Sequence, residues 1–230
     1  LRLLPSLTAV ADVIYNPRRT NLLLQAEEIG HWLWTPRGTS ESGGRILRRT
    51  GGLSMLAAQA KRAEELFFDK AIPDGEMERI IASLRRDMTN IVLVGMPGSG
   101  KTTVGRELAR LSGKPFVDLD EEIVKRAGKP IPDIFAQEGE GAFRALEHQV
   151  LEEVCARSGQ VVATGGGTVL WSENRAAMRR TGRVYYLRRR LEDLPTEGRP
   201  LSQAGGLEEM ERLRDPLYTA AADKEIWNRT

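Results

Sequence analysis

The sequence has almost no cysteine and almost no net charge. Cys155 is the only cysteine among 230 residues, which excludes an internal disulfide or a zinc site of several cysteines and predicts a reducing, cytoplasmic compartment. The 34 basic residues nearly balance the 32 acidic ones, so bulk charge does not favour nucleic acid or an anionic membrane as a partner. No apolar run approaches the roughly 18–20 residues of a membrane span. With 40% hydrophobic and 29% charged residues, the composition is that of a globular protein.

The hydrophobic pattern divides the chain into two parts, residues 1–88 and 89–230. The first is a small, mostly helical segment, with a strand at 9–15 and helices at 22–29, 53–68 and 76–88. The second alternates strands and helices, which predicts an α/β domain with a parallel sheet flanked by helices. Its predicted strands are 91–94, 116–119, 161–163 and 184–187, and its predicted helices are 102–111, 121–127, 141–157 and 207–213.

A phosphate-binding motif carries the strongest chemical signal. The strand at 91–94 runs directly into G-M-P-G-S-G-K-T at 95–102, and a helix follows. This matches G-x-x-x-x-G-K-[ST] in the strand–loop–helix context in which backbone N–H groups cradle phosphates. We expect Lys101 to reach the β- and γ-phosphates of ATP and the Thr102 hydroxyl to bind Mg²⁺. The predicted nucleotide contacts are Gly98, Ser99, Gly100, Lys101, Thr102 and Thr103.

Two carboxylates, Asp118 and Asp120, follow the next predicted strand in F-V-D-L-D. Ligands of open α/β sheets bind at the carboxyl edge of the strands, where this motif should lie. If the strand continues to Asp120, both side chains point to one face, where Asp118 can serve the metal through water and Asp120 can meet the acceptor hydroxyl. The alternative is that Asp120 simply caps the following helix.

Taken together, the motifs over roughly residues 90–225 resemble shikimate kinase. The similarity lies in the order G-M-P-G-S-G-K-T-T, D-L-D-E-E-I, the F-R-A-L-E of 143–147, G-G-G, R-P-L-S and R-D-P-L-Y. The resemblance implies ATP-dependent phosphorylation of the 3-hydroxyl of shikimate, in the biosynthesis of chorismate and the aromatic amino acids.

The resemblance also implies roles for individual residues. Arg144 would bind the substrate carboxylate, oriented by Glu147, and Arg214 would be the second carboxylate-binding arginine. Arg199 would close over the transferring phosphate from a mobile lid. The substrate-contacting loop would be Gly165, Gly166 and Gly167, and Lys101, Asp120 and Arg199 would be the catalytic set.

Two features depart from the family pattern. The stretch between Tyr186 and Arg199 is shorter than in many relatives, so an adenine-side arginine has no assigned position. The sequence stops at Thr230, where the family adds a final strand and helix, so both are expected to be missing. The arginine run 188–190 has no family role and is interpreted as a solvated surface.

The first 88 residues resemble the C-terminal end of shikimate dehydrogenase, in D-V-I-Y-N-P, L-L-L-Q-A-E-E-I-G and G-L-S-M-L-A-A-Q-A. The resemblance implies that Tyr15 and Gln59 match shikimate-contacting residues and that the backbone at Val13 and Gly52 lies near the cofactor. That family's catalytic Lys–Asp pair and NADP-binding glycine loop have no counterpart in this segment. We therefore expect no dehydrogenase activity from this chain, whose first part would be the remnant of a bifunctional protein.

Two other functions remain open from sequence alone. One is a different small-molecule P-loop kinase, of the gluconate or nucleoside monophosphate type. The other is an inert scaffold in which the first part docks a protein partner. A monomer is favoured, and no protein partner is indicated.

Overall fold

The computed structural model describes residues 7–32, 48–194 and 206–229. The chain forms two compact units, Leu1–Asp87 and Met88–Thr230. None of the described helices is long and apolar enough to cross a membrane.

The described residues of the first unit form a two-stranded parallel sheet and three helices. Its elements are β1 (Ala9–Ala11), α1 (Asn21–Trp32), β2 (Arg48–Thr50), α2 (Leu53–Phe68) and α3 (Asp74–Met88). The predicted strand at 9–15 is too long, because the Asp12 carboxylate accepts hydrogen bonds from the Ile14 backbone and the Thr20 hydroxyl at 3.0 and 2.5 Å. A side chain that binds its own backbone two residues on turns the chain out of the strand.

The second unit is built on a five-stranded parallel sheet with the order β4-β5-β3-β6-β7, which confirms the predicted fold class. The strands are β3 (Asn90–Val94), β4 (Phe116–Asp118), β5 (Val161–Ala163), β6 (Gly182–Arg188) and β7 (Lys224–Trp227). The helices are α4 (Lys101–Ser112), α5 (Leu119–Ala127), α6 (Ile131–Ala156), α7 (Ser172–Thr181) and α8 (Gly206–Ala221).

The valine-rich central strands lie at the centre of the core. Val92, Val94, Val161 and Val162 are fully buried, as expected of parallel strands with helices on both faces. Because all five strands are parallel, their carboxyl ends share one edge of the sheet. That edge carries the phosphate loop after β3, the D-L-D motif after β4 and the glycine triplet after β5.

The structure corrects several predicted element boundaries. Strand β4 ends at Asp118, and Leu119 already belongs to α5. Helix α6 begins at Ile131, ten residues earlier than the prediction of 141, and is interrupted at Gly139, whose φ is 81°. Helix α8 continues past the predicted end at 213 to Ala221. Helix α7 was not predicted from the sequence.

The expectation that the final strand is missing is wrong. Strand β7 pairs in parallel with β6 from Tyr185↔Lys224 to Arg188↔Trp227. All four of its residues are exposed, because it is the edge strand of the sheet. Its sequence therefore lacks the continuous apolar run by which buried strands are recognised.

Candidate active site

The phosphate loop lies between β3 and α4, with its lysine folded over it. The ammonium of Lys101 donates hydrogen bonds to the carbonyls of Gly95 and Met96, both at 2.9 Å. Lys101 is buried and is the first residue of α4, so the positive end of the helix dipole faces the loop. This is the arrangement that binds phosphate groups.

Asp118 joins the phosphate loop to the acceptor side of the site. The Thr102 hydroxyl donates to one Asp118 oxygen at 2.8 Å, and the other oxygen accepts the backbone N–H of Asp120 at 3.1 Å. Asp118 is therefore the residue that caps α5. The alternative in which Asp120 caps this helix is wrong, and so is the expectation of a strand that continues to Asp120.

The carboxyl group of Asp120 has an unusual electrostatic environment. Burial raises its pKa to about 6, and the neighbouring negative charge of Asp118 acts in the same direction. The positive charges of Lys101 and Arg144 act against this rise. A carboxyl group with this pKa is mostly ionised at neutral pH and remains able to accept a proton.

A buried ion pair lies beside Asp120. The Arg144 guanidinium donates to Glu147 at 2.7 Å, and the Thr168 hydroxyl donates to the other oxygen of Glu147, also at 2.7 Å. Glu147 is 1% exposed and Arg144 9%. Because both oxygens of Glu147 accept hydrogen bonds, the Arg144 guanidinium is held in one orientation. A fixed orientation suits a guanidinium for binding a carboxylate, because the two planar groups pair through parallel hydrogen bonds.

A side chain on any of the three glycines of 165–167 would force a neighbour to move. A β-carbon on Gly165 would lie 2.8 Å from Asp120, one on Gly166 2.7 Å from the Pro97 ring, and one on Gly167 2.5 Å from the Arg144 guanidinium. The triplet thus lies against the Asp120 carboxylate, the phosphate loop and the Arg144 guanidinium at once. Close backbone approach, rather than a flexible turn, is the reason for glycine here.

Arg214 reaches the same loop through Tyr218. The two residues lie one turn apart on α8, and the Arg214 guanidinium interacts with the Tyr218 hydroxyl. That hydroxyl donates to the Gly166 carbonyl at 2.5 Å, and the ring stacks on Tyr186 with centroids 4.9 Å apart. Burial raises the Tyr218 pKa to about 12, so the phenol stays protonated and remains a donor.

Sequence reasoning assigned no role to Tyr218, Thr168, Asn174 or His148. The Asn174 amide donates to the Thr168 carbonyl at 3.0 Å, and its oxygen lies 2.7 Å from Nδ1 of His148. The spacing of Tyr218 four residues after Arg214 could have indicated the contact between these two side chains. The contacts of Asn174 with Thr168 and His148 join α6, α7 and the short 3-10 helix Thr168–Leu170, and nothing in a single sequence reveals such pairings.

Arg188 corrects the interpretation of 188–190 as a solvated surface. Its side chain is 23% exposed, and it forms ion pairs with Asp215 and, at 2.9 Å, with Glu225. The guanidinium also lies over the rings of Tyr186 and Trp227, at 4.9 and 5.3 Å from their centroids. Arg190, in contrast, is exposed.

Not every predicted site residue can be placed in this way. Arg199 and its lid motif lie outside the described residues. In the first unit, Tyr15 and Gln59 are exposed at the surface. Gly52 packs directly on the Val13 backbone, since a β-carbon there would lie 1.8 Å from the Val13 carbonyl oxygen.

The second unit therefore has the fold and site of a P-loop kinase that acts on a small acidic molecule. A phosphate loop, the carboxyl group of Asp120 with its raised pKa, and two arginines lie around one edge of a parallel sheet. Comparison with known proteins narrows this class. The shikimate kinase family model matches residues 97–230 of this chain.

Individual relatives agree with the family match. Shikimate kinase of Ralstonia nicotianae is 48% identical over 144 residues, which cover 59% of this chain and 76% of the relative. That of Thioalkalivibrio sulfidiphilus is 46% identical over 150 residues, covering 60% and 77%. The solved structure of shikimate kinase from Acinetobacter baumannii in complex with shikimate is 37% identical, with a TM-score of 0.59, covering 64% of this chain and 88% of that one.

The chain belongs to the shikimate kinase family. It is a nucleotide-binding phosphotransferase, and its activity is the phosphorylation of shikimate with ATP.

Proposed function

We propose that the second unit transfers the γ-phosphoryl group of ATP to the 3-hydroxyl of shikimate, using the residues gathered at the sheet edge. The observation that carries the proposal is the position of Asp120. Its carboxylate lies against Gly165 beside the Arg144–Glu147 pair, and Asp118 links its backbone to Thr102 of the phosphate loop. The acceptor and the nucleotide can thus be held on either side of one proton acceptor.

Each residue has one part in the reaction. Arg144 and Arg214 bind the carboxylate of shikimate, and the Gly165–Gly167 backbone approaches its ring. Asp120 orients the 3-hydroxyl and takes its proton as the oxygen attacks the γ-phosphorus and the bond to ADP breaks. Lys101 leaves the loop carbonyls to neutralise charge on the phosphates, a part that the family resemblance also gives to Arg199. Such transfer depends on positioning and charge neutralisation.

The residues present also fit Mg²⁺. The Thr102 hydroxyl and the Asp118 carboxylate offer two hard oxygen atoms 2.8 Å apart. Magnesium commonly keeps several waters and takes few protein ligands beside substrate phosphates, and the described residues contain no cluster of three metal-binding side chains. We propose that Thr102 ligates the ion and Asp118 holds one of its waters, and that the bound ion neutralises phosphate charge.

A coupled ADP-release assay with shikimate, gluconate and nucleoside monophosphates as acceptors tests this function. With ATP present, we expect turnover when shikimate is the acceptor and none with the other acceptors. Lys101→Ala should lower the turnover with shikimate by orders of magnitude. Equal or faster turnover with another acceptor would support the alternative kinase class. ATP binding without turnover on any acceptor would support an inert scaffold.

For the first unit, we propose the remnant of a shikimate dehydrogenase C-terminal end. The close packing of Gly52 on Val13 supports this, since the resemblance puts both backbones near a cofactor.

We propose a cytoplasmic location, where the buried Cys155 thiol stays reduced. Burial raises the pKa of this thiol to about 12 and keeps it unreactive.

A further inference from the structure

The residue that follows the last strand contacts the phosphate loop. Asn228 comes directly after β7, and its amide Nδ2 donates to the Ser99 carbonyl at 3.0 Å. The same nitrogen would lie 2.7 Å from a β-carbon on Gly100. The Asn228 amide nitrogen therefore lies against the Ser99–Gly100 peptide, which comes one peptide before the Gly100–Lys101 bond.

The backbone of Asn228 is itself held in place. Its N–H donates to the Arg188 carbonyl at 2.8 Å, continuing the pairing of β6 and β7. Arg188 is fixed by its ion pairs with Asp215 and Glu225. Ser99 is equally constrained from the other side, since it is 0% exposed and its N–H donates to the Met96 carbonyl at 3.1 Å. Both partners of the Asn228–Ser99 hydrogen bond are thus anchored.

The orientation of this peptide decides what a phosphate would meet. In a planar trans peptide the carbonyl and the N–H point in opposite directions. With the Ser99 carbonyl held towards Asn228, the Gly100 N–H points to the opposite side. Phosphate loops bind by turning successive N–H groups towards the phosphates. A reversed peptide would present a carbonyl oxygen there and repel the ligand.

We infer that Asn228 is a positioning residue for ATP, which keeps the Ser99–Gly100 peptide turned so that the Gly100 N–H can bind phosphate. This inference rests on the phosphate-binding role of the loop, which Lys101→Ala tests independently of Asn228. The residue acts through the loop and need not touch the nucleotide.

The test measures the KM for ATP, the Kd for ADP, the inhibition constant of inorganic tripolyphosphate against ATP, and the KM for shikimate. For Asn228→Ala we expect the affinities for ATP, ADP and tripolyphosphate to fall by the same factor, about 3–10-fold. This factor corresponds to the net free energy of one neutral hydrogen bond. The shikimate KM should stay within twofold of the wild-type value. Asn228→Asp preserves size but cannot donate to a carbonyl when ionised, so it should weaken the same ligands at least as much. Lys224→Ala, an exposed change on the same strand, is the matched control and should match wild type.

Other outcomes would overturn the inference. Weaker ATP and ADP with unchanged tripolyphosphate inhibition would mean that Asn228 contacts the base or ribose. A parallel loss of shikimate and nucleotide affinity, with a lowered melting temperature, would mean a general structural role. Wild-type values for all ligands in Asn228→Ala, or in Asn228→Asp alone, would mean that the hydrogen bond does not position the loop.

Discussion

Asp120 has a carboxyl group that folding partly removes from water and places beside another carboxylate. Its pKa rises from 3.8 to about 6, so the folded state binds the proton more tightly than the unfolded chain does. The free energy of unfolding therefore falls as the pH rises through that interval, and the ionised carboxylate destabilises the fold at neutral pH. An ionised carboxylate at this position therefore lowers the stability of the folded state.

Asp120→Asn should remove the destabilisation caused by the ionised carboxylate and should also remove the kinase activity. In metal-free buffer at pH 7.5, we expect the free energy of unfolding to rise by roughly 1–3 kcal/mol. Turnover with shikimate should fall by about 10²-fold or more, because an amide cannot accept the hydroxyl proton. Urea unfolding and the ADP-release assay measure the two effects, and the stability gain should shrink as the pH is lowered towards 4. A variant that is less stable than wild type at pH 7.5 would contradict the electrostatic argument.

Gly167 illustrates a different constraint, that of space. Gly167→Ala would place a methyl group 2.5 Å from the Arg144 guanidinium, which would have to move. We expect the KM for shikimate to rise at least tenfold while the KM for ATP stays within a few-fold, as for Arg144→Ala, where losing one partner of a desolvated charge pair costs about 2–5 kcal/mol. Gly141→Ala is the control, since a β-carbon there meets nothing within 4 Å. An equal loss of affinity for both substrates would indicate misfolding instead.

At the scale of elements, Arg188 joins β6, β7 and α8. Its ion pairs reach Glu225 on β7 and Asp215 on α8, and the Tyr186 hydroxyl donates to the same Asp215 at 2.9 Å. The edge strand and the helix that carries Arg214 are therefore both linked to β6 through Arg188, and the helix also through the Tyr186 hydroxyl. The Arg188 ion pair with Glu225 adds to the backbone pairing that holds the exposed strand β7 on β6.

Arg188→Ala should loosen these elements. We expect the free energy of unfolding to fall by roughly 1–3 kcal/mol, because the Asp215 carboxylate, 32% exposed, loses a charged partner. Arg190→Ala is the matched control, since its pair with Glu192 is about 70% exposed on both sides and should change stability by less than about 0.5 kcal/mol. Chemical denaturation of both variants measures this. Equal stability of the two would restore the interpretation of 188–190 as a solvated surface.

At the scale of the whole molecule, the second unit carries the kinase fold, and we expect no hydride transfer from the first. A dinucleotide fold would need a glycine-rich turn between a strand and a helix, and the loop of that kind in this chain is 95–102, whose G-K-T ending binds a triphosphate. We therefore expect no reduction of NADP by shikimate. Absorbance of reduced nicotinamide, with shikimate in excess, measures this, and turnover above a no-enzyme control would refute our interpretation of the first unit.

The sequence by itself determined the fold class and the chemistry of phosphate binding. These depend on local patterns, since apolar runs of strand length alternate with helical periods, and the spacing in G-M-P-G-S-G-K-T is meaningful without any distant residue. The strand Val161–Ala163 and the helix Leu53–Phe68 were predicted with their observed bounds for the same reason. The roles of Arg144, Gly166 and Arg214 came from family resemblance, and they stay predictions.

Only the tertiary structure decided which residues of these motifs contact one another. Asp118 rather than Asp120 caps α5 because its carboxylate reaches the Asp120 N–H, a choice between two aspartates that sequence spacing leaves open. Arg188 looks like its neighbour Arg190 in the sequence, and it differs because Asp215, Glu225 and Trp227 surround it in the fold. The Asn228–Ser99 contact spans 129 positions, and its residues carry no motif that pairs them. Local propensity acts over a few residues, whereas these contacts exist only once a parallel sheet has brought the carboxyl ends of its strands together.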